Sequence, residues 1–263
     1  MKTTILFTIF SLSTKILLNQ VTGLPYTAPS IKSYNILVED ESTGGFHPGG
    51  SNAPILDDKL LNSNNFGLKG IFKAIDVNFT LTSQLPTPNT ITESDLNQYD
   101  LLIVAFAANP SFTDTELNII YDWVNNQGGA LIAFEDSQDY SPIGTFFGLT
   151  HGGYYFDVFE NLNGTFIIDE PNHPIFNHVF GTVNTLSNYS WVGHYDMPLP
   201  NDFTMLAHDS TLDATIVSYN NGKALFLTDE GPVNNSFLSP GTGITTPADI
   251  FFGNLISWAH FKN

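Results

Sequence analysis

The stretch from Leu101 to Phe134 constrains the fold more than any other part of this chain. Leu101 to Ala107 is a continuous apolar run, the pattern of a strand covered on both faces. Thr113-Asp-Thr-Glu116 follows as a capping box, in which a hydroxyl and a carboxylate each satisfy a backbone N–H that the first helical turn leaves open. Leu117, Ile120, Tyr121 and Val124 recur at helical spacing and predict the buried stripe. Gly128 and Gly129 end the helix, and Ala130 to Phe134 returns as a strand. Strand, helix and strand in this order need a crossover connection, which sets the two strands parallel. The predicted class is therefore α/β, with a parallel sheet between helices.

The rest of the chain extends this pattern. Asn35 to Val38 reads as a first strand with an acidic exit at Glu39-Asp40-Glu41, followed by a glycine-rich loop containing His47. Leu68, Ile71, Phe72 and Ile75 share one helical face, and Val77 to Leu81 is a second strand. Residues 145 to 205 lose helical periodicity and predict an irregular, strand-containing insertion rich in aromatics, glycine and asparagine. Asp213 to Asp229 is a hairpin turning at Asn221-Gly222. Thr246-Pro247-Ala-Asp249 starts a final helix, Ile250 to Phe261, with Leu255 and Trp258 facing inward.

Three segments taken together carry a resemblance: YDLLIVAFAANPSFTDTELNIIYDWVNNQGGALIAFED, NHPIF, and YNNGKALFLTDEG with ADIFFGNLISWAHF. They resemble the class I glutamine-amidotransferase-like superfamily, in particular its branches of trehalose-utilisation-like proteins and intraflagellar-transport subunits. The resemblance covers residues 34 to 263 in pieces and implies a flavodoxin-like parallel sheet sandwiched by helices. In an amidotransferase, a cysteine on a tight strand-to-helix turn is activated by a His-Glu pair. At the matching turn this chain has Phe134-Glu135-Asp136-Ser137, and it contains no cysteine. Amidotransferase activity is excluded. Ser137 lacks the flanking glycines that a strained nucleophile turn requires.

Composition and the N-terminus set the expected surroundings. Of 263 residues, 42% are hydrophobic and only 13% charged, which is a globular composition. Acidic residues number 26 against 8 basic, a net charge of −18 that repels nucleic acid and anionic membranes. Lys2, the apolar run Ile5 to Leu12, and Val21-Thr22-Gly23 read as a signal peptide over residues 1–23, too short and broken for membrane insertion. Residues 24–263 then form a single domain. Asn-x-Ser/Thr sequons at Asn78, Asn163, Asn188 and Asn234 are expected glycosylation sites, completing the picture of a secreted, extracellular glycoprotein.

The candidate site comes from the strand ends. In a parallel α/β sheet, ligands bind at the carboxyl edge. Glu39 and Asp40, Glu135 and Asp136, and Asp229 and Glu230 would converge there, with His47 and Asn109 on adjoining loops. Converging carboxylates bind a cation, share a proton or splay into water, and serve equally as helix caps. A Ca²⁺ ion suits such an oxygen-rich rim, and no other cofactor is expected. As catalytic acids and bases the candidates are Glu135, Asp136, Asp229 and Glu230. His173 and His178 are wrongly spaced for a metal on one helical face. His151 and the segment Trp191 to Tyr195 offer rings that stack on sugars or pack in the core. The expected role is a non-catalytic domain binding an extracellular ligand such as a glycan, or serving in a surface matrix. The alternatives are a carboxylate-based hydrolase acting on a glycan, and a cation-dependent adhesion or structural protein.

Overall fold

A computed structural model describes residues 34–40, 77–82, 91–105, 112–135, 141–152, 165–178, 180–187, 193–220, 222–229, 231–233, 238–239 and 244–261. The expected signal peptide, the helix at Leu68 to Ile75, and the sequons at Asn163, Asn188 and Asn234 lie outside the described residues. Strands β1 (Tyr34–Asp40), β2 (Val77–Thr82), β3 (Leu101–Ala105) and β4 (Ala130–Phe134) pair in the order β2-β1-β3-β4, all parallel. Asn78 falls inside β2 rather than in a loop.

Beyond β4 the sheet changes direction. The short strands β5 (Thr165–Ile168), β6 (Asn177–His178), β7 (Gly181–Thr182) and β8 (Leu186–Ser187) come from the region expected to be irregular. They are followed by β9 (Phe203–His208), β10 (Ala214–Tyr219) and β11 (Ala224–Leu227). β11 is parallel to β4, and β10, β9, β5 and β8 then add antiparallel, completing a nine-stranded mixed sheet. The first five strands, β2-β1-β3-β4-β11, have the flavodoxin order. The hairpin expected around Asn221-Gly222 is what reverses the direction, since a tight turn can only join antiparallel strands.

Each central strand serves two cores, as the two-residue period of a pleated strand requires. Leu101, Ile103, Ile132, Phe134, Leu225 and Leu227 face one cluster, which is closed by Phe251, Leu255 and Trp258 of the last helix. Leu102, Val104, Leu131, Ala133 and Phe226 face the other. That second face is covered by helices α1 (Glu93–Leu96), α2 (Asp114–Asn126) and α3 (Pro142–Phe147), and the last helix is α4 (Pro247–Phe261).

The capping box of α2 forms as the sequence implies. Thr113 Oγ1 accepts from the Glu116 N–H at 3.3 Å, and Glu116 Oε2 accepts from the Thr113 N–H at 2.9 Å. The other Glu116 oxygen accepts from the Ile91 N–H at 3.2 Å, so this buried carboxylate also anchors the entry to α1. The stripe of α2 differs from the expectation in one respect. Trp123 is buried at 2% exposure, whereas Tyr121 is 37% exposed. The indole lies where a side chain on Gly129 would stand, so the glycine that ends the helix also makes room for Trp123. Tyr121 instead lies beside α3, its ring 5.0 Å from that of Phe147.

Helix α4 starts at Thr246, whose hydroxyl accepts from the Asp249 N–H at 3.1 Å. The buried Asp249 carboxylate accepts from the N–H groups of Ser239, Thr245 and Thr246 at 2.8–2.9 Å. Further along, Asn254 holds the β6–β7 hairpin by accepting from the Phe180 N–H and donating to the Gly181 carbonyl.

Candidate functional site

The carboxyl ends of β1, β3, β4 and β11 lie along one sheet edge, so Glu39, Asp40, Glu135 and Asp229 come at or just past strand ends on a common side. Glu39 and Asp40 end β1 and pair with Val104 and Ala105, which leaves β3 between them and Glu135. Asp229 is buried just past the end of β11, beside the exit of β4, where the Glu135 N–H donates to the Leu227 carbonyl at 2.7 Å. His47, Asn109, Asp136, Ser137 and Glu230 lie outside the described residues, as does Trp191.

Glu135 follows the last residue of β4, and its surroundings are specific. Phe134 faces the α4 core, so Glu135 turns to the opposite face, toward α3 and Tyr195. It is only 2% exposed. Oε1 accepts from the Gly144 N–H at 2.6 Å, in the first turn of α3. Oε2 lies 3.0 Å from His151 Nε2 and accepts from the Tyr195 hydroxyl at 3.1 Å. Gly144 is required here because a side chain at that position would overlap the Glu135 carboxylate.

The partners of Glu135 are themselves fixed. His151 and Tyr195 form a backbone bridge, their rings meet edge to face with centroids 4.5 Å apart, and Tyr195 also bridges to Ala214 at the start of β10. Burial, then the negative charge of Glu135, then the hydrogen bond to it push the Tyr195 hydroxyl well above the usual tyrosine range. The phenol therefore stays protonated and donates. Each hydrogen bond to an ionised group is worth about 1.5–3 kcal/mol, so this carboxylate is one of the more strongly held groups of the fold. His151 Nδ1, on the far side of the ring, has no hydrogen-bond partner among the described residues.

His151 and Tyr195 were legible only as aromatic segments suited to sugar stacking or core packing. The structure gives both to the core, as partners of Glu135. His173 serves a loop, its Nδ1 accepting from the Ile175 N–H at 3.4 Å. His178 sits on β6, 3.4 Å from the Ser257 hydroxyl of α4, and burial lowers its pKa.

A second group of polar side chains, not foreseen from the sequence, lies around the β9–β10 turn. His194, Asp209 and Asp213 each offer a ligand atom, and these atoms lie within 4.8 Å of one another. They are the residues that could hold a metal ion among those described. The sequence signal was faint, two aspartates four apart in DSTLD and a histidine 15 residues earlier.

The fold is the flavodoxin-like α/β fold shared with the solved structures that follow, and the chain contains no cysteine. Among solved structures, the chain is similar to a GMP synthase subunit protein from Thermoplasma acidophilum, with 13% identity and a TM-score of 0.53. That match covers 87% of this chain and 95% of the other. A ThuA-like protein from Bacteroides uniformis matches at 13% identity and a TM-score of 0.54, over 90% of this chain and 95% of that one. The cytoplasmic protein STM1381 from Salmonella typhimurium LT2 matches at 16% identity and a TM-score of 0.50, over 86% and 99%. No family model matches the chain. No curated protein matches it either.

The match to a cytoplasmic protein corrects the expectation of a secreted, extracellular glycoprotein with a carbohydrate ligand. The features behind that expectation are not specific to export. A short apolar run and an acidic surface occur in many settings, and one of the four sequons lies within a sheet strand. The glycan-cleaving and adhesive alternatives assumed the same setting and fall with it. No helix among the described residues is long and apolar enough to cross a membrane.

Proposed function

We infer that this chain is a non-catalytic binding domain, in which the nucleophile position of the amidotransferase-like fold has become part of the scaffold. One observation carries the reading: both oxygens of Glu135 are engaged by Gly144, His151 and Tyr195 in a buried setting. A general acid or base must reach the proton it transfers, directly or through one water. Side-chain exposures of 1% for His151 and 3% for Glu135 leave no such access. Both carboxylate oxygens of Glu135 are thus committed to the fold.

Binding then falls to the rim around Glu135. In a flavodoxin-order sheet the ligand crevice is the switch point between β1 and β3. Glu39 and Asp40 end β1 beside that crevice, and Asp229 follows the end of β11 farther along the same edge. A rim so rich in carboxylates favours a positively charged ligand.

The reading is tested by assaying the wild-type chain and Glu135→Gln against glutamine, aryl esters and aryl phosphates. It expects no turnover above background from either protein. Turnover by the wild type that Glu135→Gln abolishes would overturn it.

A further inference from the structure

We propose that His194, Asp209 and Asp213 bind one first-row transition-metal dication of the Zn²⁺ or Mn²⁺ kind, which ties the β9–β10 turn to the segment entering Tyr195. The site is separate from Glu135 and goes beyond the binding role of the rim. Its three donors come from two places in the chain, and the backbone brings them together. Tyr195 bridges antiparallel to Ala214, its N–H donating to the Ala214 carbonyl at 2.8 Å. His194 and Asp213, one position before each bridged residue, therefore share the face opposite to Tyr195. Asp209 reaches the same place from the end of β9, across the turn.

Two further observations set this trio apart from a chance meeting of surface acids. The first concerns the imidazole. A side chain at Gly152 would occupy the space of the His194 ring, and the Gly152 N–H donates to the His194 carbonyl at 3.0 Å. The histidine is thus seated in a slot and is half-buried. The second concerns the carboxylates. Thr211 Oγ1 lies 2.7 Å from Asp209 Oδ1 and 2.8 Å from Asp213 Oδ2, yet a hydroxyl has a single proton to donate. The N–H groups of Thr211 and Asp213 are also spent on Asp209 Oδ1, at 2.7 and 3.1 Å. These bonds engage Asp209 Oδ1 and Asp213 Oδ2, and the second oxygen of each carboxylate is the one left to an ion.

The donor set selects the ion. Ca²⁺ and Mg²⁺ take oxygen ligands, whereas one imidazole with two carboxylates suits Zn²⁺, Mn²⁺ or Fe²⁺. Ligands about 2.1 Å from a metal stand about 3.4 Å apart in a tetrahedron and about 4.2 Å apart across an octahedron. Donor atoms already within 4.8 Å close onto an ion by side-chain rotation, without moving the strands. Three protein ligands leave at least one position for water or an outside donor. The net charge of −18 raises the local concentration of any dication.

The test titrates Zn²⁺ and Mn²⁺ separately into the full chain, free of any affinity tag, by calorimetry. The variants are Asp213→Asn and His194→Gln, chosen to keep side-chain size. The proposal expects one tight equivalent in the wild type, a melting temperature that rises with the ion and falls back with EDTA, and an affinity at least about 100-fold weaker in each variant. The absence of a stoichiometric equivalent for both ions would overturn it, as would an equivalent that both variants retain unchanged. If either variant fails to fold, paramagnetic broadening by Mn²⁺ in the wild type decides. The His194 ring signals must broaden first; earlier broadening of another histidine overturns the assignment.

Discussion

Two groups of carboxylates meet the same short segment, His194-Tyr195, and differ in what else surrounds them. Around Glu135 a buried backbone N–H, an imidazole and a phenol converge on one carboxylate. Around Asp209 and Asp213 two carboxylates share one threonine hydroxyl, while the Thr211 and Asp213 N–H groups serve Asp209 alone. Where neutral donors are plentiful, a carboxylate can be buried and becomes a structural support. Where two carboxylates share a donor at a half-buried turn, they stay partly in water and are suited to an ion. Burial and the sharing of donors, more than the density of acidic residues, distinguish the two groups.

Glu135→Ala should show the contrast at its largest. It leaves buried donors on Gly144 and Tyr195 with no acceptor, and we expect a loss of about 3–5 kcal/mol in urea-induced unfolding. A loss below about 0.5 kcal/mol, typical of a surface change, would place Glu135 with the open acids instead. Gly144→Ala attacks the same carboxylate from the helix side. Its new methyl overlaps Glu135, and we expect about 1–3 kcal/mol of destabilisation by the same measurement.

Tyr195→Phe removes one donor and should cost about 1.5–3 kcal/mol at neutral pH. It should also change the response to alkali. The folded state holds the Tyr195 proton well above the ordinary value, so the unfolded chain releases it first. Stability contributed by this group is complete below about pH 10 and declines as pH rises beyond it. Tyr219, pushed up to about 12 chiefly by burial, adds to the decline between about pH 10 and its own pKa. Unfolding measured from pH 8 to 11 should therefore fall less steeply in Tyr195→Phe than in the wild type, and an unchanged slope would contradict the assignment. The smallest effect belongs to the open group. Asp213→Asn in EDTA should shift stability by less than about 0.5 kcal/mol, and a large loss would make that carboxylate a support as well.

Much of the fold was legible in the sequence because local rules and tertiary packing agree there. The capping box at Thr113, the apolar runs of β3 and β4, and Thr246-Pro247 starting α4 all fall where pattern and chemistry place them. Pattern failed where two residues compete for one space. Tyr121 fits the helical stripe by spacing, but the gap beside Gly129 admits Trp123 and turns the helix face toward it. The site was legible only as a list of strand-end acids. The sequence places Glu135 at the end of a strand, but its role is set by Gly144, His151 and Tyr195, which lie 9, 16 and 60 residues away. No periodicity reports such contacts. His194 and Asp213 were hidden for the same reason, since a bridge between Tyr195 and Ala214 brings them together.

The central claim is that Glu135, at the exit of β4, works as a support through its hydrogen-bond partners, and a double-mutant cycle between Glu135 and Tyr195 tests it most directly. Wild type, Glu135→Ala, Tyr195→Phe and the double variant would be unfolded in urea under the same conditions. The account predicts that the two losses are not additive, with a coupling of about 1–3 kcal/mol, because each substitution removes the same contact. Additivity within about 0.5 kcal/mol would contradict it, since the carboxylate and the phenol would then act independently.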